Sequence, residues 1–272
     1  MITRERPRVG QREWLKGPVS FDLMAMFATC TDVCDRANEI CEAPMGRRDD
    51  AWSERFRIIV QDLLLEYQCT KHWTDSRLKQ LRPQSRPKVH SLNRTSLSAS
   101  FDFAGKVYQE SVDLFSNAPL YPPIYYIYKS HSIAVRWSTI HSVRLNIMRE
   151  LLDLSVLLSE HGLERPPELA SHIELYSKFQ DITLEICASA PYLLGEVDDN
   201  GNLIPPATAG ERRKTPFKMQ GGLLLYAVGR KPYIGAGAKR YIRSVLYHLG
   251  TVGGVRNALE LMNHYMNLES LA

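Results

Sequence analysis

The sequence predicts an all-α protein, a single bundle of about eight helices around one long central helix, on three observations. Apolar residues recur at three- and four-residue steps along most of the chain. Strand-like alternation is almost absent. Pro and Gly gather between the periodic stretches instead of inside them. With 272 residues, 44% hydrophobic and 24% charged, the composition is that of an ordinary globular chain, which excludes disorder and collagen-like repeats. A chain of this length buries roughly three quarters of the surface its unfolded form exposes, so one domain over 1–272 is expected without disulfide staples.

The elements follow in order. Phe21 to Glu42 places Met24, Phe27, Thr31 and Cys34 on one helical stripe, and Ala43-Pro44 closes it. Asp50 serves as an N-cap for a helix from Ala51 to about Gln68, with Trp52, Phe56, Ile59 and Leu63 on one side. Residues 82–99, rich in Pro, Ser and Arg, read as a mobile loop. A helix over Asp102 to Phe115 ends before Asn117-Ala118-Pro119. After Pro122-Pro123, which suits a helix start, the longest pattern runs from Ile124 to His161. At 1.5 Å per residue it would be on the order of 50 Å long. Glu168 to Ala188 carries Leu169, Ile173, Tyr176, Phe179, Thr183 and Ile186 at helical spacing. Residues 196–215 form a polar loop. Three shorter helices complete the bundle: Phe217 to Val228, Ala236 to Leu249 with Gly250 as its cap, and Val255 to Leu268.

Several function classes fall away. Thirty-four Lys and Arg against 30 Asp and Glu leave +4, too small an excess by itself to predict nucleic-acid or anionic-membrane binding. The N-terminal residues 1–17 are basic but precede no apolar stretch of signal-peptide length, and no run of about 18 apolar residues offers a membrane span. An intracellular, cytoplasmic address is expected. Cys30, Cys34, Cys41, Cys69 and Cys187 are an odd number in a chain without a secretory signal, which argues against a disulfide framework. The first three invite a zinc reading. Their spacing puts them on one helix face with no fourth Cys or His nearby, so they read as small core residues and no metal is expected. Nucleophile elbow, Walker loop, zinc-protease helix and dinucleotide fingerprint are all missing. Asp49-Asp50 and Asp198-Asp199 read as solvated turns.

Four segments carry a resemblance. They are RWSTIHSVRLNIMRELL (136–152), EICASAPYLLG (185–195), MQGGLLLYAVG (219–229) and KRYIRSVLYHLGTVGGVRNALELM (239–262). In that order they resemble the helical regulatory region of fungal Zn2Cys6 zinc-cluster transcription factors. Ser189, Pro191, Tyr192, Leu194 and Gly195 match that family's PYHLG-like turn, with Leu193 where a His is common. Gly221, Gly222, Leu224 and Leu225 match its glycine-led helix. Arg240, Leu246, Leu249, Gly250, Gly254 and Ala258 match its final helix pair, and Trp137 and Arg144 fall on the long helix. The resemblance spans roughly residues 124–265 and implies an all-α fold and a fungal origin. The zinc cluster itself needs six thiolates in a set spacing, and the five cysteines here do not supply it. Read from Met1 as a full frame, the chain is expected to keep the regulator's helical body without its DNA contact.

The chemistry then rests on an aromatic face. Tyr121 to Tyr128 (YPPIYYIY) is unusually rich in Tyr, and stepping by 3.6 residues from Tyr126 gives Ser130, Ile133, Trp137, His141 and Arg144. Tyr125, Tyr126, Trp137, Tyr192 and Tyr226 are the expected walls of an apolar pocket, with His141 and Arg144 as its catalytic polar groups. Each reads equally as structure: Trp137 as core, His141 as a satisfied buried imidazole, Arg144 as a packing donor. A cofactor-free cyclase or isomerase of fungal secondary metabolism is the expectation, with a small apolar molecule as ligand, no cofactor, no direct nucleic acid and no membrane. The alternative is a transcriptional regulator or co-regulator without its own DNA-binding module, nuclear and acting through a protein partner or a second copy.

Overall fold

The computed structural model describes residues 19–42, 50–77, 83–87, 122, 124–162, 164–195, 197, 217–251, 255 and 257–262. The fold is all-α. Its helices are α1 (Val19–Glu42), α2 (Asp50–Arg77), α3 (His131–Glu160), α4 (His172–Leu193), α5 (Phe217–Gly229) and α6 (Ala236–Thr251). A further helical stretch covers 257–262. Two short strands, β1 (Gln84–Pro87) and β2 (Ile124–Ile127), pair antiparallel with Ser85 opposite Tyr126. The expected helix over 102–115 and the loop 196–215 lie outside the described residues, apart from Val197.

The residues group into two compact units, one of Met1–Arg82 with Thr139–Ile182, the other of Pro83–Ser138 with Thr183–Ala272. In the first, α1 packs on α2. The buried face of α1 is Met26, Cys30, Val33, Ala37 and Ile40, small residues set against the larger Trp52, Phe56, Ile59 and Leu63 of α2. The expected stripe of α1 is therefore corrected at three of its four positions: Met24, Phe27 and Thr31 stand on the exposed face, while Cys34 is buried. The α2 stripe is as read, but the helix runs nine residues past the expected Gln68 and buries Glu66, Thr70, Trp73 and Thr74 in line with it. Arg36 of α1 reaches Asp62 of α2 at 3.3 Å. From α3, Ile140, Val143, Ile147, Leu151 and Leu154 are buried.

The long helix starts later than the periodicity predicts. Ile124–Ile127 is extended and hydrogen-bonded to β1, inside the stretch expected as a loop, because aromatic and β-branched residues after a Pro pair favour a pleated ribbon. Ser130 then caps α3, its carbonyl accepting from the amides of Ile133 and Ala134 and its hydroxyl lying 3.4 Å from the Ile133 amide. Gly162 ends α3 at φ 60°, a left-handed cap.

Helix α4 begins at a capping box. Ser171 Oγ accepts from the Glu174 amide at 3.3 Å, and the Glu174 carboxylate accepts from the Ser171 amide at 2.8 Å. The Ser171 hydroxyl, which donates to that carboxylate at 2.8 Å, and then the Ser171 amide hold the Glu174 carboxyl below its usual range. The helix runs through Pro191 to Leu193, past the expected end at Ala188, and closes on Gly195 at φ 71°. Its buried positions include Leu175, Phe179, Ile182, Thr183 and Ile186, whereas Ile173 and Tyr176 of the expected stripe are exposed.

In the second unit α5 packs on α6 through glycines. A Cβ on Gly222 would lie 3.2 Å from Leu249 Cδ1, and one on Gly250 only 2.3 Å from Leu259 Cγ. Gly250 thus lets the stretch 257–262 approach α6 as well as standing near its end.

Candidate functional site

The expected pocket residues fall into three separate places. The first is an aromatic cluster built where β2 leads into α3. Tyr126 and Tyr128 meet edge to face with centroids 6.4 Å apart, Tyr128 lies 5.4 Å from the Tyr192 ring, and the His131 imidazole stacks on Tyr192 at 6.2 Å. Tyr128, in the YPPIYYIY run but not singled out as a wall residue, is the hub. Ser189 Oγ donates to the Glu185 carbonyl at 2.8 Å, so the Tyr128 hydroxyl, 2.6 Å away, must donate to Ser189. Burial drives the Tyr128 phenol pKa well above its ordinary value. Tyr126, half-buried, is raised too, by desolvation and then by the Glu185 carboxylate. Tyr125 is buried, as is Trp137. The helical stepping from Tyr126 to Trp137 does not exist, because Tyr126 sits on β2.

The second place is a staple in the other unit. Arg144 of α3 donates through Nη2 to Thr74 Oγ1 at 2.9 Å and to the Thr70 carbonyl at 3.2 Å, with Nε 3.4 Å from Thr70 Oγ1. The two hydroxyls donate onward to helix carbonyls, Thr74 to Thr70 at 2.7 Å and Thr70 to Tyr67 at 2.7 Å. Thr70 and Thr74 both belong to α2. The geometry of Arg144 is that of a guanidinium joining two helices, the packing donor also weighed above. His141, a turn earlier, is buried. Thr70 and Thr74 were missed because the α2 helix was ended too early. The legible signal was that Glu66, Thr70 and Thr74 continue the step begun at Phe56, Ile59 and Leu63.

Nor does the close Ser155–His172 pair make a nucleophile. Ser155 Oγ donates to the Leu152 carbonyl at 2.9 Å and so accepts from His172 Nδ1 at 2.8 Å. An activated serine needs the reverse, with the imidazole taking the hydroxyl proton. Among the described residues no group of three or more His, Cys, Asp and Glu converges as a metal site, and no helix is long and apolar enough to cross a membrane. Cys30, Cys34, Cys69 and Cys187 are buried thiols and Cys41 is half-buried.

The third place is a half-open cavity of about 460 Å³ in the second unit. Gly222, Leu223 and Tyr226 of α5 form one wall, and Val255, Ala258 and Leu261 the other. Asn257 and Glu260 add polar groups to the lining. Tyr226 is the only expected wall residue that lines it; Tyr125, Tyr126, Trp137, His141, Arg144 and Tyr192 do not. The Arg230 guanidinium stands over the Tyr226 ring, 5.7 Å from its centroid. Comparison of the chain with protein-family models, with curated proteins and with solved structures finds no match.

Proposed function

We propose that the chain is a docking module of regulator type: a helical body, similar to that of zinc-cluster transcription factors, that acts as a regulator or co-regulator through protein contacts. One observation carries this reading. Large apolar side chains stand in water on two helices of the first unit, with Met24 72% and Ile173 79% exposed and Phe27 and Tyr176 beside them in sequence at i+3. Helix faces of this kind mark sites of association. The engagement of Arg144 in the α2–α3 staple supports the same choice, because it commits the strongest candidate for transition-state stabilisation to the fold.

A second reading has its own observation. A cavity of about 460 Å³ is within the size range of small-ligand sites, and Tyr226 gives it a phenol. On that reading the protein is a cofactor-free cyclase or isomerase that folds a small apolar substrate into a reactive conformation, Tyr226 donating to an oxygen whose charge grows in the transition state.

Deletion of the gene separates the two. A docking module changes transcript levels, and complementation with Met24→Asp plus Ile173→Asp fails although the variant folds. An enzyme leaves transcripts unchanged and lets one metabolite accumulate, and Tyr226→Phe then reproduces the loss. Unchanged transcripts in the deletion strain would overturn the docking reading.

A further inference from the structure

Charge is spread very unevenly along this chain. Between Arg212 and Leu259 lie ten Lys and Arg and not one Asp or Glu, while all the other residues together carry 24 Lys and Arg against 30 Asp and Glu. The near-neutral total hides a basic block set in an acidic remainder. That block is α5, α6 and the chain around them. Arg230 and Arg240 are exposed, and Lys231, Lys239 and Arg243 are half-exposed. Lys239 and Arg240 open α6, whose first turn holds no acidic residue, although cations are disfavoured at that end of a helix dipole. Neither has an ion-pair partner among the described residues.

The same block also has an apolar side. Leu223, Ala227 and Arg230 follow one another at helical steps along the exposed side of α5, and Leu223 with Tyr226 opens into the cavity of about 460 Å³. An apolar slot one helical turn from the Arg230 guanidinium, in a segment with no carboxylate of its own from Arg212 to Leu259, is complementary to a chain that offers both carboxylates and apolar side chains. We propose that the α5–α6 face docks an acidic peptide segment of a protein partner, its Leu- or Phe-like side chain in the slot bounded by Leu223, Tyr226 and Leu261 and its carboxylates on Arg230 and Arg240. This deepens the docking reading and rests on it.

Nucleic acid is the weaker fit. A phosphodiester chain would use the cations but has no aliphatic side chain for the slot. The ring of Tyr226, the aromatic group a base would stack on, already carries Arg230 against its face. The acidic remainder of the chain repels a long polyanion. Glu260, the one carboxylate in the slot's lining, sets the expected orientation: the peptide's acids lie toward Arg230 and Arg240, away from it.

The test is fluorescence anisotropy on the purified full chain with three labelled probes of equal charge: a peptide alternating Asp/Glu with Leu/Phe, a polyglutamate peptide, and a single-stranded DNA oligonucleotide. The mixed peptide is expected to bind at least about tenfold more tightly than the other two. Arg230→Glu with Arg240→Glu, and separately Leu223→Ser, should each weaken it about tenfold. All three positions are exposed, and an unchanged circular-dichroism melt verifies folding. Glu260→Gln should tighten binding. No binding of the mixed peptide, equal binding of polyglutamate or DNA, or indifference to the arginine pair overturns the proposal. The parent reading fails separately. Met24→Asp plus Ile173→Asp lies in the other unit and leaves peptide affinity unchanged, so loss of the peptide arm with retention of that variant's cellular phenotype removes only the acidic partner.

Discussion

Tyr128 passes its proton to Ser189 and Ser189 passes its own to the Glu185 carbonyl, which closes every hydrogen-bond requirement of two buried hydroxyls. Ser189→Ala strands the phenol and should cost about 1–3 kcal/mol in urea unfolding, whereas Tyr128→Phe removes both the demand and its answer and costs less. The raised phenol pKa adds a pH signature. The folded state holds the proton that the unfolded chain releases near pH 10. The contribution is complete below that pH and is lost as pH rises toward the folded value, at about 1.4 kcal/mol per unit. Tyr128→Phe should flatten this alkaline slope. At Arg144 the guanidinium geometry predicts that Arg144→Lys is not conservative, because an ammonium has one nitrogen and cannot supply Nε to Thr70 Oγ1 while Nη2 holds Thr74 Oγ1 and the Thr70 carbonyl. A loss of about 1–3 kcal/mol is expected, and a double-mutant cycle with Thr74→Ala should give a coupling of about 0.5–3 kcal/mol. Such roles were half legible. The sequence placed Arg144 on a helix with an apolar face, but its acceptors are 74 and 70 residues away along the chain, a distance no periodicity spans.

At the scale of elements, the helices over residues 19–77 and 131–251 are readable from spacing alone, and their faces are not. Helix α1 offers two apolar faces. The one that packs is built from Cys30, Cys34 and Ala37 with Met26 and Val33, because small residues let the backbone approach the large rings of Trp52 and Phe56, themselves 5.3 Å apart. A count of apolar residues weights Met24 and Phe27 more heavily and chooses the wrong side. Strand β2 was hidden for another reason: its partner β1 is four residues of Gln, Ser, Arg and Pro, with no strand propensity, recruited by pairing. The glycine contacts are the element-level prediction. Gly250→Ala would drive a methyl into Leu259, so the stretch 257–262 must shift, at about 1–3 kcal/mol by thermal unfolding. Leu259→Ala in the same chain should recover part of it.

For the whole molecule the decisive quantity is what lies on the surface. Met24→Asp with Ile173→Asp replaces side chains that are mostly in water, so stability should stay within about 0.5 kcal/mol by denaturant titration, while the proposed docking role requires the variant to lose association in solution. A fall in stability instead would mean those side chains belong to the core. The summed charge of +4 gave no warning of the basic block, since a total is blind to order along the chain. The site was legible as residue types and illegible as a constellation. Of seven expected residues, Tyr126 and Tyr192 share a cluster through Tyr128 and Tyr226 alone reaches the cavity.

The β1–β2 ribbon has a last implication. By clasping residues 84–87 to 124–127, it makes everything from 88 to 123 an excursion with a fixed point of departure and return. Closure entropy grows only with the logarithm of length, about 0.6 kcal/mol for each doubling. Evolution or an engineer could therefore enlarge that excursion, or graft a foreign module into it, while leaving the clasp and the helices beyond it undisturbed.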